Sequence, residues 1–78
     1  MLADIRVFVN DRGIRLPAGA SVRDAVRVAL PDLLPDCESG ALGVTDARGL
    51  PLHLDEVLAA GAILRAARST RRAGPAGL

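Results

Sequence analysis

Ile5, Val7 and Val9 alternate with Arg6, Phe8 and Asn10 near the start of the chain. Period two with β-branched residues predicts a strand with one buried face. Asn10-Asp11-Arg12-Gly13 follows. Asn and Asp tolerate turn geometry, and Gly13 can take positive φ, so this stretch predicts a short hairpin loop. Ile14 and Leu16 continue the inward face on a second, antiparallel strand, which Pro17 and Gly19 stop. Ser21 then reads as a helix N-cap, with Asp24 three residues on in a near capping box. Val22, Ala25, Val26 and Ala29 recur at helical spacing and form one apolar stripe. Arg23, Asp24 and Arg27 fall on the wet side, and Pro31 ends this helix at or just before Leu30.

The pattern weakens after the helix. Residues 31–40 carry Pro31, Pro35 and Gly40 and read as a loop, with Leu33 and Leu34 folding back over one end of the core. Leu42 to Thr45 reads as a third strand. Asp46-Ala47-Arg48-Gly49 repeats the first turn's chemistry and predicts a second hairpin. Leu50 and Leu52 make a short fourth strand, marked as an edge by Pro51. Residues 55–60 predict a single helical turn closed by Gly61, and residues 62–68 the last strand. A strand, a helix and a later parallel strand of one sheet require a right-handed crossover. The first and last strands therefore lie side by side in the centre, with the helix across one face. The expected fold class is α+β: a β-grasp arrangement, with a mixed four- to five-stranded sheet and one helix packed across it. The domain spans residues 1–68, and residues 69–78 read as a flexible C-terminal tail.

Composition narrows the function more by exclusion than by assignment. The chain has 78 residues, enough for one domain with a modest core and no deep substrate cleft. Ten basic residues, all Arg, face nine acids, for a net charge of +1. Nucleic-acid binding is not expected at that balance with Phe8 as the one aromatic. Cys37 is the single cysteine, which excludes an internal disulfide and fits a reducing compartment. No apolar run approaches the roughly 20 residues of a membrane span, and Asp4 and Arg6 come too early for a signal-peptide core. The expected location is the cytoplasm.

Two segments carry a family resemblance: VFVNDRGIRLPAGASVRDAV at 7–26 and LAAGAILRAARS at 58–69. The stretch at 7–26 is similar to the strand, turn, "LPEGATV" phrase and helix start of the ubiquitin-like β-grasp family. The stretch at 58–69 resembles that family's approach to its last strand. The chain most closely resembles the bacterial sulfur carriers of thiamine and molybdopterin synthesis. TGS-type domains, which bind RNA or protein, share the "LPAGASV" phrase. The resemblance implies a small carrier or protein modifier without catalysis of its own. Its C-terminal carboxylate would be adenylated by a ThiF-like activating enzyme. Such carriers finish in Gly-Gly, whereas here Gly77 is followed by Leu78. The resemblance therefore implies that a processing protease first trims the chain to Gly77; cleavage after Gly74 would leave Pro75 behind the scissile bond. The alternative expectation is a non-conjugated β-grasp adaptor that binds a protein partner, or RNA as TGS-type domains do.

No catalytic constellation stands beside this, and no cofactor or metal site is expected. Asp36 and Glu38 flank Cys37 and disfavour its thiolate. His53, the single histidine, has no partner at metal-ligand spacing and reads as an ordinary surface residue. Asp55 and Glu56 are adjacent, so they are expected to polarise the predicted helical turn, not to work as an acid–base pair. The glycines are scattered and form no phosphate loop. Phe8 is more informative. If Ile5, Val7 and Val9 face the helix, Phe8 faces out. In the last strand Leu64 and Ala66 face in, leaving Ile63 and Arg65 out. Phe8 and Ile63 would then share the open face, ringed by Arg6 and Arg65, as a docking surface for a protein partner. Arg68, Arg71 and Arg72 extend that basic character into the tail.

Overall fold

The structure is a computed structural model and describes residues 3–68. Strands β1 (Asp4–Val9) and β2 (Arg12–Pro17) form a hairpin, and helix α1 (Val22–Ala29) follows. A 3₁₀ turn (Pro31–Leu33) leads into a second short helix, α2 (Leu34–Ser39); strands β3 (Leu42–Asp46) and β4 (Ile63–Arg68) complete the fold. The sheet has four strands in the order β2-β1-β4-β3. β1 pairs antiparallel with β2 and parallel with β4, and β3 pairs antiparallel with β4. The architecture is thus a small α+β fold with a four-stranded mixed sheet and two short helices.

The core follows from the two periodicities. Val7, Val9, Leu16, Val44, Leu64 and Ala66 point from the sheet toward Val22, Ala25, Val26 and Ala29 of α1, and all are buried. Val7, Val9, Val22, Ala25 and Val26 are wholly inaccessible. The small Ala25 and Ala29 let the helix backbone lie close to the strands. Leu33 and Leu34 pack half-buried against this cluster, as expected.

Ser21 and Asp24 form a full capping box. The Ser21 hydroxyl accepts from the Asp24 N–H at 3.3 Å, and the Asp24 carboxylate accepts from the Ser21 N–H at 3.0 Å. The other two free N–H groups of the first turn are satisfied from far away: Val22 N–H donates to the Glu56 carbonyl and Arg23 N–H to that of Leu54, both at 2.9 Å. At the far end Arg12 donates to the Ala29 carbonyl at 3.3 Å, where a cation complements the helix dipole.

Four sequence expectations need correction. Residues 31–40 are not a loop, because they hold the 3₁₀ turn and α2. Proline is tolerated in a first helical turn, where its missing N–H has no acceptor to lose. Gly40 then ends α2 in the left-handed conformation at φ 92°. Residues 55–60 form no helical turn, because their backbone is spent on α1 and the segment leading into it: the Glu56 carbonyl accepts from Val22 N–H, and Leu58 N–H donates to the Ala20 carbonyl at 2.8 Å. Leu50 and Leu52 do not form a strand; the second hairpin is reduced to a single bridge between Thr45 and Pro51. In the first hairpin the positive φ values fall on Asn10 (50°) and Asp11 (70°), as a two-residue turn requires, while Gly13 lies inside β2.

Candidate functional site

One sheet face is covered by α1 and the other is bare. Alternation along β1 turns Arg6 and Phe8 away from the helix, since Val7 and Val9 are buried. Phe8 stands in register with Ile63 across the parallel pair and with Gly13 across the hairpin. Gly13 gives the ring its seat. A Cβ at position 13 would lie 3.2 Å from Phe8 Cε2, so the ring lies over the glycine and is half-buried without touching the core side. Ile63 is 42% exposed beside it.

Arg6 and Arg15 are opposite one another in the hairpin register, and Arg65 stands opposite Thr45. All three guanidiniums are on the open face and exposed. Asp4 is the only acid that this alternation puts with them. Asp11, from the hairpin turn, reaches Arg65 at 3.9 Å, a loose exposed contact of little energetic weight. Among the described residues Arg6 and Arg15 have no ion-pair partner. Asp24, Asp32, Asp36, Glu38, Asp55 and Glu56 belong instead to the helices and the long loop. The sheet face is therefore apolar at its centre and basic at its rim.

Sequence reasoning brought Phe8, Ile63, Arg6 and Arg65 together, and the structure places them on one face. It missed Arg15 and Gly13. Both were available from the alternation of β2, because Ile14 and Leu16 facing in puts residues 13 and 15 out. Arg68 closes β4 opposite Leu42 and is exposed. With Arg65 it lines a shallow cleft over the small residues Gly43 and Ala67. Arg71, Arg72, Gly74 and Gly77 lie outside the described residues, as does the expected tail at 69–78.

The remaining candidates resolve into structural roles. Cys37 is buried on α2, and burial pushes its thiol up from the ordinary value, aided by the neighbouring Asp36 and Glu38. His53 is exposed, and its backbone N–H donates to the Glu56 carboxylate at 3.0 Å. Asp55 pairs with Arg23, which also binds Glu38 at 3.2 Å, so that one guanidinium ties α1 to α2 and to the long loop. Asp46 folds the second turn by accepting from the N–H groups of Leu50 and Arg48; the Leu50 bond is the main cause that holds its carboxyl below the usual range. A second cleft, of about 340 Å³, opens beside Ile63 between the long loop and the second turn. Among the described residues no group of three His, Cys, Asp or Glu could hold a metal ion, and no helix is long and apolar enough to cross a membrane.

No family model matches this chain, and no curated protein matches it either.

Proposed function

We propose that this chain is a ubiquitin-like β-grasp protein of the carrier or modifier class. It performs no chemistry on its own side chains. A partner protein recognises its open sheet face, and an activating enzyme acts on its C-terminal carboxylate once a protease has trimmed the chain to Gly77. The observation that carries the reading is the pair of half-buried Phe8 and exposed Ile63 on the face opposite the helix, rimmed by Arg6, Arg15 and Arg65. Such a surface fits a partner with an apolar pocket and acidic edges. Two further features support it. The sheet order, with β1 and β4 parallel in the centre, is compatible with a β-grasp. β4 delivers the chain from the middle of the sheet toward residues 69–78, ten residues able to span ~33 Å when extended.

Intact-mass spectrometry of the protein from its native host tests this. Loss of one leucine, or the mass gain of sulfur replacing oxygen on a Gly77 terminus, is the expected result. A full-length, unmodified chain with no activating enzyme recovered would leave a second reading. In it the same open face, which needs no activation to bind, serves a non-conjugated adaptor. A protein partner is favoured over RNA there, because the face offers a single aromatic for stacking.

A further inference from the structure

A carrier with an activated carboxyl faces a side reaction with its own nucleophiles. The chain contains no lysine; its ten basic residues are all arginine, whose guanidinium stays protonated and is a poor acyl acceptor. Cys37, the single thiol, is 8% exposed within the core cluster. Its burial disfavours the thiolate that would attack. The described hydroxyls are neutral alcohols, weak nucleophiles unless a base activates them, and the one carboxylate bonded to them, Asp24, is held below its ordinary value and is a weak base. Ser21 Oγ exchanges hydrogen bonds with Asp24, and Ser39 Oγ donates to the Asp36 carbonyl at 3.1 Å. Thr45 is half-buried on β3. His53 is exposed, but an acyl-imidazole returns to water and leaves no stable product.

We propose that the side chains of residues 3–68 are closed as acyl acceptors, so that this chain does not build chains of itself through them. The inference rests on the carrier reading above and specifies it: the acceptor is a nucleophile of another molecule. Activation joins the carboxylate to the nucleotidyl phosphate of a nucleoside triphosphate, and pyrophosphate leaves. The acceptor's lone pair then attacks the acyl carbon. The bond to the leaving nucleotide breaks with its electron pair, and the acceptor's proton passes to water or a base. No oxidation or reduction is involved.

The test bypasses the activating enzyme, so that failure of the carrier reading and failure of this inference are distinguishable. The full chain is prepared with a chemically installed C-terminal thioester and an acetylated N-terminus, and is held at mildly alkaline pH. Covalent multimers are followed by mass spectrometry, with a small primary amine added in a parallel arm. Wild type is expected to hydrolyse or to pass its acyl group to the added amine, and to form at least tenfold fewer multimers than Arg48→Lys. That variant restores one exposed side-chain amine on the second turn, where Arg48 is 79% exposed. Multimers of wild type at the rate of the lysine variant would overturn the proposal. So would cross-links mapped to Cys37, Ser21, Ser39 or Thr45.

Discussion

The side-chain amide of Asn10 pairs with both backbone groups of Ala66, 56 residues away. Ala66 N–H donates to Asn10 Oδ1 at 2.9 Å, and Asn10 Nδ2 donates to the Ala66 carbonyl at 3.2 Å. The parallel ladder between β1 and β4 runs through Phe8 N–H to Ala62 and Asn10 N–H to Leu64. At Asn10 the backbone turns away, with φ 50°, into the hairpin. The amide then supplies the next rung in place of a peptide group. One residue thus serves the turn and the central strand pair at once, because Asn tolerates the left-handed region and carries a peptide-like side chain.

Asn10→Ala is expected to cost about 2–3 kcal/mol. Two hydrogen bonds are worth ~1 kcal/mol each, and alanine is strained by roughly a further 1 kcal/mol at this φ. For a domain of this size that is a fall in Tm of about 10 °C or more. Asn10→Gly removes the amide but not the turn's freedom, and should recover the strain part. Thermal melts of both variants check this; Tm values equal to wild type would show that the rung carries no weight.

Val26→Asp probes the core. Val26 is fully buried among Val7, Val9 and Leu64, with no polar group to receive a carboxylate. An unpaired buried charge costs several kcal/mol, comparable with the ~5 kcal/mol that holds a chain of this length together. The variant should show no cooperative unfolding transition by circular dichroism. A sharp transition near the wild-type temperature would contradict the core described here.

Most local features of the fold were legible in the sequence, and of the long-range ones the pairing of β1 with β4 was. The alternation of Ile5, Val7 and Val9, the capping box and the stripe of α1 each depend on residues within a few positions, and each formed as expected. The Phe8–Ile63 pairing follows from β1 and β4 being parallel neighbours, which the crossover rule requires. The path of residues 53–58, which turns at Leu54 and Asp55, was not legible, because it is tied to free N–H groups on α1 more than thirty residues earlier. α2 was hidden because Pro31 and Pro35 read as breakers, although one begins the 3₁₀ turn and the other stands in the first turn of a helix. Of the candidate site, the apolar centre was visible, but the seat under the ring was not. By composition Gly13 reads as part of a turn that Asn10 and Asp11 make by themselves.

Acid should loosen the entry to α1. The Ser21 backbone N–H is the main cause that holds the Asp24 carboxyl below its ordinary value, helped by the Ser21 hydroxyl and by Arg27 and Arg23. A carboxyl lowered on folding contributes stability that is present above its unfolded value, near ~3.9, and is lost as pH falls through the lower folded value. Asp46 is lowered too and adds to the same window. Denaturant midpoints measured from pH 6 down to pH 2 should therefore fall most steeply below about pH 4. Asp24→Asn should flatten part of that slope. An unchanged slope in this variant would place the acid sensitivity elsewhere.

Phe8 and Gly13 allow binding to be separated from folding. Phe8→Ala removes a half-buried ring that lies over Gly13, which should lower stability by about 1 kcal/mol, since only one side of the ring is covered. Its effect on partner capture should be larger, at ~2 kcal/mol or more, if the ring is the anchor of the open face. Gly13→Ala acts differently. Position 13 is extended strand, so alanine meets no backbone strain there, and its strand propensity is at least that of glycine. Its Cβ, however, would stand 3.2 Å from Phe8 Cε2 and tilt the ring off its seat by a few tenths of an ångström. This variant should melt with the wild type yet bind more weakly. The measurement pairs thermal melts with quantitative capture from the native host, scoring proteins retained by wild type and lost by both variants. A sharp fall in Tm for Phe8→Ala with no protein lost would make the ring a cover for the sheet, and the docking surface would have to be sought at the cleft beside Ile63.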